Sequence, residues 1–353
     1  MGAKATIAFK CSKCGGVLEE SPDVLGCPGC GASYETKGGV VRIGGDAPYY
    51  GEVPVEVMRT IIQEAREKGW KKALFDRFYR PRNFLYKIAA FETRADWLYM
   101  LDLGRDDLVL DIGSGWGTEA VPLARNTGQV VALDDTVERL EFVMVRAGQE
   151  GVDNVLGVKG SILDPPLMPG QFDLAVMNGV LEWMGTSDGS SDPESLQRRA
   201  LENVFKLLKS GGRLYIGIEN SQGFKYLLGE PDDHTGVKGI SFLPRDEADR
   251  LLMDMDGRHY RTYTYAIEGY RALLEGAGFG GIEFYYPIPD YKTFSFIAPL
   301  DRTEPYRYYV NTLCPDTEPG ALEQNVRNLE RVALSAGTLK DYVSSYGIVA
   351  EKP

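Results

Sequence analysis

Four cysteines stand within twenty residues of one another: Cys11, Cys14, Cys27 and Cys30, two C-x2-C pairs with twelve residues between them. Each C-x2-C places two thiolates on one tight turn. Two such turns supply the four soft ligands of a tetrahedral Zn²⁺. Gly15, Gly16, Gly29 and Gly31 fall where such turns need relaxed backbone. With cysteine at every ligand position no place remains for a catalytic water, so the expected zinc is structural. Two disulfides would need an oxidising compartment, and redox C-x-x-C pairs would need a strand–helix setting around each pair.

A second group of residues surrounds a glycine loop, VLDIGSGWGTEA at 109–120. An apolar run ends at Asp111 and Ile112, and Gly113, Gly115 and Gly117 lead into a helix pattern. Glycines admit a ligand close to the backbone, and a helix N-terminus favours an anionic group such as a carboxylate. A dinucleotide loop would need glycine at 118, where Thr118 stands. Asp111 would also repel a pyrophosphate, whereas the ammonium group of S-adenosylmethionine suits an acid. The next apolar run, QVVALDD, ends in Asp134, twenty-three residues beyond Asp111. A carboxylate there can accept from both ribose hydroxyls, with Asp135 as the adjacent alternative.

The G-x-G-x-G spacing after an acid-bearing strand resembles motif I of class I methyltransferases, and the family's V-x-G-x-D pattern falls on Asp134. NVLGVKGSILDPPL resembles the third strand, with Gly160, Ser161 and Ile162 in place of the usual G-D-A. The resemblance then leaves the adenine to the Ser161 hydroxyl and the Ile162 backbone. FDLAVMNGVLEWM, 172–184, is similar to the fourth strand, whose end at Asn178 is where donor and acceptor meet in the family. SGGRLYIGIEN, 210–220, is similar to the fifth. The resemblance covers about 105–300 and implies a donor site of Asp111, Gly113, Ser114, Gly115, Gly117, Asp134, Ser161, Ile162 and Asn178. The opening residues look like a zinc ribbon, and CPGCGASYETKGGVVRI resembles ribbons of the small methyltransferase-activator type.

Methyl transfer from a sulfonium is an in-line displacement, so the enzyme supplies alignment and a dry pocket. An alcohol acceptor must also lose a proton, for which a general base is worth ~10²–10⁴-fold. The chain has two histidines. His234, in EPDDHTG, is read as a neutral base or acceptor-orienting group beside Asp232 and Asp233. His259, in GRHYRTYTY, and Glu219, at the end of the fifth strand, are the alternatives. Glu182 and Trp183 follow the fourth strand and can line the acceptor site, although a tryptophan there can equally be packing. The late tyrosines read as amphipathic caps on the core, and the lone Cys314 as inert.

These residues need an α/β scaffold to hold them. Apolar runs at 107–112, 129–134, 154–159, 172–178, 212–219, 281–287 and 292–298 alternate with helix patterns, which points to a seven-stranded Rossmann-like methyltransferase sheet. The expected organisation is a zinc ribbon over 1–46 and a helical lid or linker over 47–104. A methyltransferase domain over 105–300 follows, with a polar, aromatic insertion at 220–263, and then a helical tail over 301–353. No apolar run reaches the ~20 residues of a membrane span, and no hydrophobic signal core precedes Cys11, so the expected location is the cytoplasm.

The net charge of −12 disfavours a nucleic-acid partner. Residues 59–94, with ten Lys/Arg against four Asp/Glu, run the other way, as a solvated face or an anion-facing lid. The segments GIENSQGFKYLLGEPDDHTG and YRTYTYAIEGYRALLEGAGF are similar to bacterial methyltransferases of glycan and secondary-metabolite pathways. The reading is therefore an S-adenosylmethionine-dependent methyltransferase that O-methylates a saccharide or other small molecule. An RNA base methyltransferase that recognises its substrate through the ribbon is one rival, and a non-catalytic ribbon-bearing adaptor is the other. Asn178-Gly179-Val180-Leu181 stands where an N-P-P-Y-type tetrad would be, which disfavours amino-methylation of DNA or glutamine.

Overall fold

The computed structural model describes residues 6–21, 23–43, 49–80, 83–313 and 321–353. Cys314 lies outside them. The chain divides into two compact units. The first holds residues 1–177, 203–214 and 352–353, and the second 178–202 and 215–351.

The sheet of the first unit is built from β1 (Glu19–Ser21), β2 (Val24–Gly26), β3 (Ser33–Lys37), β4 (Val40–Arg42), β5 (Leu108–Ile112), β6 (Gln129–Asp134), β7 (Val155–Lys159) and β8 (Phe172–Asn178). Their order across the sheet is β1-β2-β3-β4-β7-β6-β5-β8. β5 pairs in parallel with β6 and with β8, and β6 with β7. β5 and β6 are buried along their whole length. Strands buried on both faces read as continuous apolar runs, which is why the sequence locates them so well.

The ribbon segment extends this sheet. β4 runs parallel to β7, Val40 opposite Gly157 and Arg42 opposite Lys159. A Cβ on Gly157 would stand 3.0 Å from a Val40 methyl and 3.4 Å from the Gly39 carbonyl, so the glycine admits the close approach. Helices Val55–Lys68 and Trp70–Phe78 bury Met58, Ile61, Ile62, Ala65, Trp70, Ala73 and Leu74 in one cluster with Trp116 and Phe142. This is the stretch expected as a lid. Of the nine cations at 59–94 among the described residues, seven form ion pairs with nearby carboxylates, among them Arg59–Glu138, Arg77–Glu64 and Lys71–Glu150. Its charge is thereby met within the first unit.

β9 (Leu208–Glu219) begins in the first unit and ends in the second. In the second unit its end is followed across the sheet by β12 (Ser345–Glu351), β10 (Gly280–Ile288) and β11 (Phe296–Pro299), in the order β9-β12-β10-β11. β10 is antiparallel to both β11 and β12. The sequence reading expected seven strands, and the described residues form twelve. Four of the additional strands come from the ribbon segment. The fifth corrects the helical tail: after the helix Ala321–Ala336 the chain ends in β12, SYGIVAE, with six of seven residues buried. Apolar side chains on both faces make that run a central strand rather than a surface helix. The 220–263 segment also contains a helix, Arg245–Asp256. Only Ala248 and Leu252 of its twelve residues are buried, which leaves a faint periodic signal.

Ile348 in β12 is fully buried and stands opposite Phe284 of β10. Ile348→Ala should cost about 2–5 kcal/mol in the denaturant midpoint with an unchanged slope. A loss within ~0.5 kcal/mol would mean that the segment behaves as surface.

Candidate active site

In the first unit the glycine loop turns tightly after β5. Gly113, Gly115 and Gly117 have φ of +65°, +50° and +70°, a backbone region open to glycine at little cost. The loop is tied to the end of β6. The Gly113 amide donates to the Leu133 carbonyl at 2.8 Å, and the Gly115 amide to Asp134 Oδ2 at 3.0 Å. The Thr136 amide donates to Asp134 Oδ1 at 2.9 Å. Asp134 therefore shapes the cradle while each of its oxygens keeps a lone pair for a further donor. Burial pushes its pKa up, and Arg139 and the two amides pull it down. Arg139 is in turn held by Glu52 at 2.5 Å. Asp135, the alternative ribose partner, is exposed.

Asp111 is 2% exposed, and its Oδ2 has no hydrogen-bond partner among the described residues. Burial, with Glu119 and Asp134 nearby, raises its pKa well above the ordinary 3.8. Ser114 Oγ is likewise buried and without a partner. An orphaned acid oxygen at the glycine loop fits the ammonium group of an amino acid, and the residues present fit S-adenosylmethionine. At the third strand, the Ser161 hydroxyl accepts from the Leu163 amide at 3.3 Å. The Ile162 carbonyl is taken by Asn203 Nδ2 at 2.9 Å, and the Ile162 side chain is buried. Asn178 belongs to the second unit, where its side chain lies over Gly217 of β9; any Cβ at 217 would collide with it.

The four cysteines converge. Their sulfurs all lie within 4.8 Å of one another, with Cys11 3.7 Å from Cys30 and Cys14 3.4 Å from Cys27. A tetrahedral site with Zn–S lengths of ~2.3 Å spaces its sulfurs ~3.8 Å apart. The two turns are alike. Gly15 and Gly31, at φ of +76° and +71°, donate to the carbonyls of Cys11 and Cys27, and the amides of Cys11 and Cys27 donate to the carbonyls of Gly16 and Ala32. Tyr34 Oη stands 3.1 Å from Cys11 Sγ.

In the second unit the sequence-designated His234 and Glu219 meet Glu182. The histidine side chain is 3% exposed and the two carboxylates are 1% exposed. His234 Nε2 lies 3.7 Å from Glu182 Oε1 and 3.8 Å from Glu219 Oε2, and Nδ1 lies 4.0 Å from Asp232 Oδ2. Trp183 stands edge-on to the imidazole, with ring centroids 5.0 Å apart. Glu219 Oε1 is occupied by Lys292 Nζ at 2.5 Å and Tyr291 Oη at 3.1 Å. Asp232 accepts from the amides of His234 and Thr235, which fixes the turn that carries the ring. Asp233 faces away from the ring and binds Lys225 at 2.6 Å and Lys292 at 3.0 Å.

This setting differs from that of a free imidazole. Burial alone would lower the histidine pKa, but Glu219, Asp232 and Glu182 outweigh it and push it up to about 10. With no cation among them, the three acids favour a proton on the ring. Burial pushes the Glu182 pKa up, whereas Lys292 and His234 pull that of Glu219 down. His259 stands apart from this group: it is 59% exposed and paired with Asp249 at 3.0 Å. Lys292, which neutralises Glu219, escaped the sequence reading because PDYKTF carries no motif. Glu182 was legible from its place four residues beyond the end of β8.

A profile of the methyltransferase-domain family matches residues 103–228, which contain the glycine loop, Asp134, Glu182 and Glu219. Solved structures with similar outlines include an S-adenosylmethionine-dependent methyltransferase of Thermotoga maritima, 18% identical, with a TM-score of 0.44 over 80% of this chain and 100% of that one. Phosphoethanolamine N-methyltransferase 2 of Haemonchus contortus is 16% identical, with a TM-score of 0.46 over 86% of this chain and 61% of that one. A Haloferax volcanii complex of the Trm112 methyltransferase activator with a methyltransferase is 16% identical, with a TM-score of 0.43 over 86% and 100% of the two chains. Likeness at this level says nothing of substrate. No helix of the described residues is long and apolar enough to cross a membrane.

Asp111 supplies a test of the donor cradle. Its raised pKa means that the buried carboxylate costs stability. The cost is absent below the ordinary value of 3.8 and grows as pH rises through the folded value. Asp111→Asn should therefore raise the melting temperature of the ligand-free protein at pH 7 while weakening donor binding in calorimetry. A variant that is neither more stable nor weaker in binding would contradict this assignment. From the family match and the cradle built within it, residues 103–228 form a methyltransferase domain.

Proposed function

We propose that the protein methylates an oxygen of a saccharide or other small-molecule acceptor, with the donor held by the residues around the glycine loop and the acceptor managed by the Glu182–His234–Glu219 group. The carrying observation is Glu182: its Oε2 is buried, has no hydrogen-bond partner, and belongs to a carboxyl whose pKa burial has raised. A carboxylate in that state is a stronger base than an exposed one. The residues around the glycine loop would hold S-adenosylmethionine, which when bound would supply an electrophilic methyl group to the acceptor oxygen. Glu182 takes the hydroxyl proton. His234, charged, holds the two carboxylates in place and donates toward the acceptor. Lys292 keeps Glu219 ionised, so the two glutamates divide into an acceptor of protons and a fixed counter-charge.

Ligands of open α/β sheets bind beyond the carboxyl ends of the strands. Glu219 is the last residue of β9, and Glu182 follows the end of β8 by four residues. The saccharide or small-molecule class is supported by the two segments similar to glycan and secondary-metabolite enzymes. The ion pairing of residues 59–94 leaves the RNA reading little free positive charge to work with. We assign Zn²⁺ to Cys11, Cys14, Cys27 and Cys30, where it has a structural role.

Glu182→Gln should retain donor binding in calorimetry and lose turnover by ~10²–10⁴-fold with labelled methyl donor and a small-molecule extract. Label appearing in RNA, or turnover unchanged in the variant, would overturn the reading. An absence of heat with S-adenosylmethionine in the wild type would return the protein to the adaptor class. For the ribbon, elemental analysis of protein purified without added metal should give about one zinc per chain, lost in Cys27→Ser. Wild-type protein free of zinc would refute the assignment.

A further inference from the structure

Three groups in the second unit, Glu182, Glu219 and His234, surround one point without hydrogen bonds to each other. His234 Nε2 stands 3.7 Å from Glu182 Oε1 and 3.8 Å from Glu219 Oε2. Hydrogen bonds between nitrogen and oxygen span ~2.7–3.2 Å, so neither contact is one. The second oxygen of Glu182, the Oε2 of Glu219 and the Nδ1 of His234 are all buried and without a hydrogen-bond partner. A buried carboxylate oxygen left in this state is costly, since ions taken from water need pairing and hydrogen bonds to offset desolvation.

The spacing itself suggests what completes the group. Two ligand atoms each ~2.1 Å from one ion, at an angle near ~110–120°, stand ~3.5 Å apart. The single ligand atoms of Glu182, Glu219 and His234 all lie within 4.8 Å of one another. Asp232 lies on the far side of the ring, with Oδ2 4.0 Å from Nδ1. A carboxylate in that position sets the tautomer and orientation of a metal-binding histidine. Lys292 and Tyr291 take only Oε1 of Glu219, leaving Oε2 for a ligand.

We propose that Glu182, Glu219 and His234 form a second metal site, separate from the four cysteines, for a divalent first-row cation. The entering cation takes the place of the proton on Nε2, which leaves to solvent, and two carboxylate oxygens with one imidazole nitrogen suit Mn²⁺, Fe²⁺ or Zn²⁺ rather than a soft ion. Three protein ligands leave open positions on the cation, which an acceptor oxygen can fill. The site deepens the proposed methyl transfer, on which it rests only for what the cation does. Occupancy itself depends on neither donor nor acceptor.

The test uses the untagged full chain, with its ribbon zinc in place, titrated with manganese(II) chloride while the resonance of free Mn²⁺ is followed by electron paramagnetic resonance. The wild type should take up about one Mn²⁺ per chain beyond the zinc. Glu182→Gln and His234→Ala should each weaken that uptake at least ~10-fold, with ribbon zinc content serving as the control for folding. Pulsed spectroscopy of the bound ion should show one imidazole nitrogen in the wild type and in His259→Ala. This readout stands even if a ligand variant fails to fold, because the chain has two histidines. No uptake by the wild type at millimolar Mn²⁺, uptake unchanged in both ligand variants, or a bound ion with no imidazole nitrogen would each overturn the proposal. None of these results bears on whether Glu182→Gln retains donor binding and loses turnover, so the two readings fail separately.

Discussion

Charge held away from water without full compensation is the constraint that organises this protein. Removing a carboxylate from water costs several kcal/mol unless partners restore what solvation supplied. In the first unit Asp111 carries that cost alone, with an unpartnered oxygen and two further acids nearby. In the second unit Glu182, Glu219 and Asp232 surround a single imidazole, and Lys292 is drawn in to relieve one of them. Packing must be dense enough around both places to hold acids where they would not settle by themselves. β5 and β6 do this for the first, and Trp183, Tyr291 and the end of β9 for the second. Each strained acid is a place where a cationic or proton-bearing ligand gains what the protein lacks.

The ribbon segment contributes to the same architecture through backbone rather than charge. A parallel strand at the edge of a sheet presents unpaired amides and carbonyls that invite association. β4 occupies that edge beside β7, and β3, β2 and β1 turn the sheet away into short, exposed hairpins. One of the two cysteine turns, Cys27 to Cys30, is the connection between β2 and β3. The segment that looks like an appended module is the closure of the catalytic sheet.

Much of this was legible in the residues. The strands β5, β6, β7 and β8 were placed within a residue or so because burial on both faces leaves unbroken apolar runs. The cysteine cluster and the glycine loop were legible because spacing alone dictates their geometry. His234 stood out in the sequence as one of two histidines, but the acids around it did not. Three carboxylates from 182, 219 and 232 meet the ring only in three dimensions, and a sequence cannot sum their fields. β12 was read as part of a helical tail because the long helix before it set the expectation, although SYGIVAE is an apolar, β-prone run. Lys292 had no local signature at all, since its role is defined by Glu219, seventy-three residues away.

The placement of β12 has a bearing on how the chain is made. β9 and β10 are separated by about sixty residues in sequence, yet in the second unit they are not neighbours until residues 345–351 arrive between them. During synthesis, β9 must therefore wait with one edge unpaired while more than a hundred further residues emerge. At ~5–20 residues per second that interval is several seconds or longer, and it is a window for misassembly. Glu182, Glu219 and His234 have all emerged by then, and Glu219 ends the very strand whose edge is waiting.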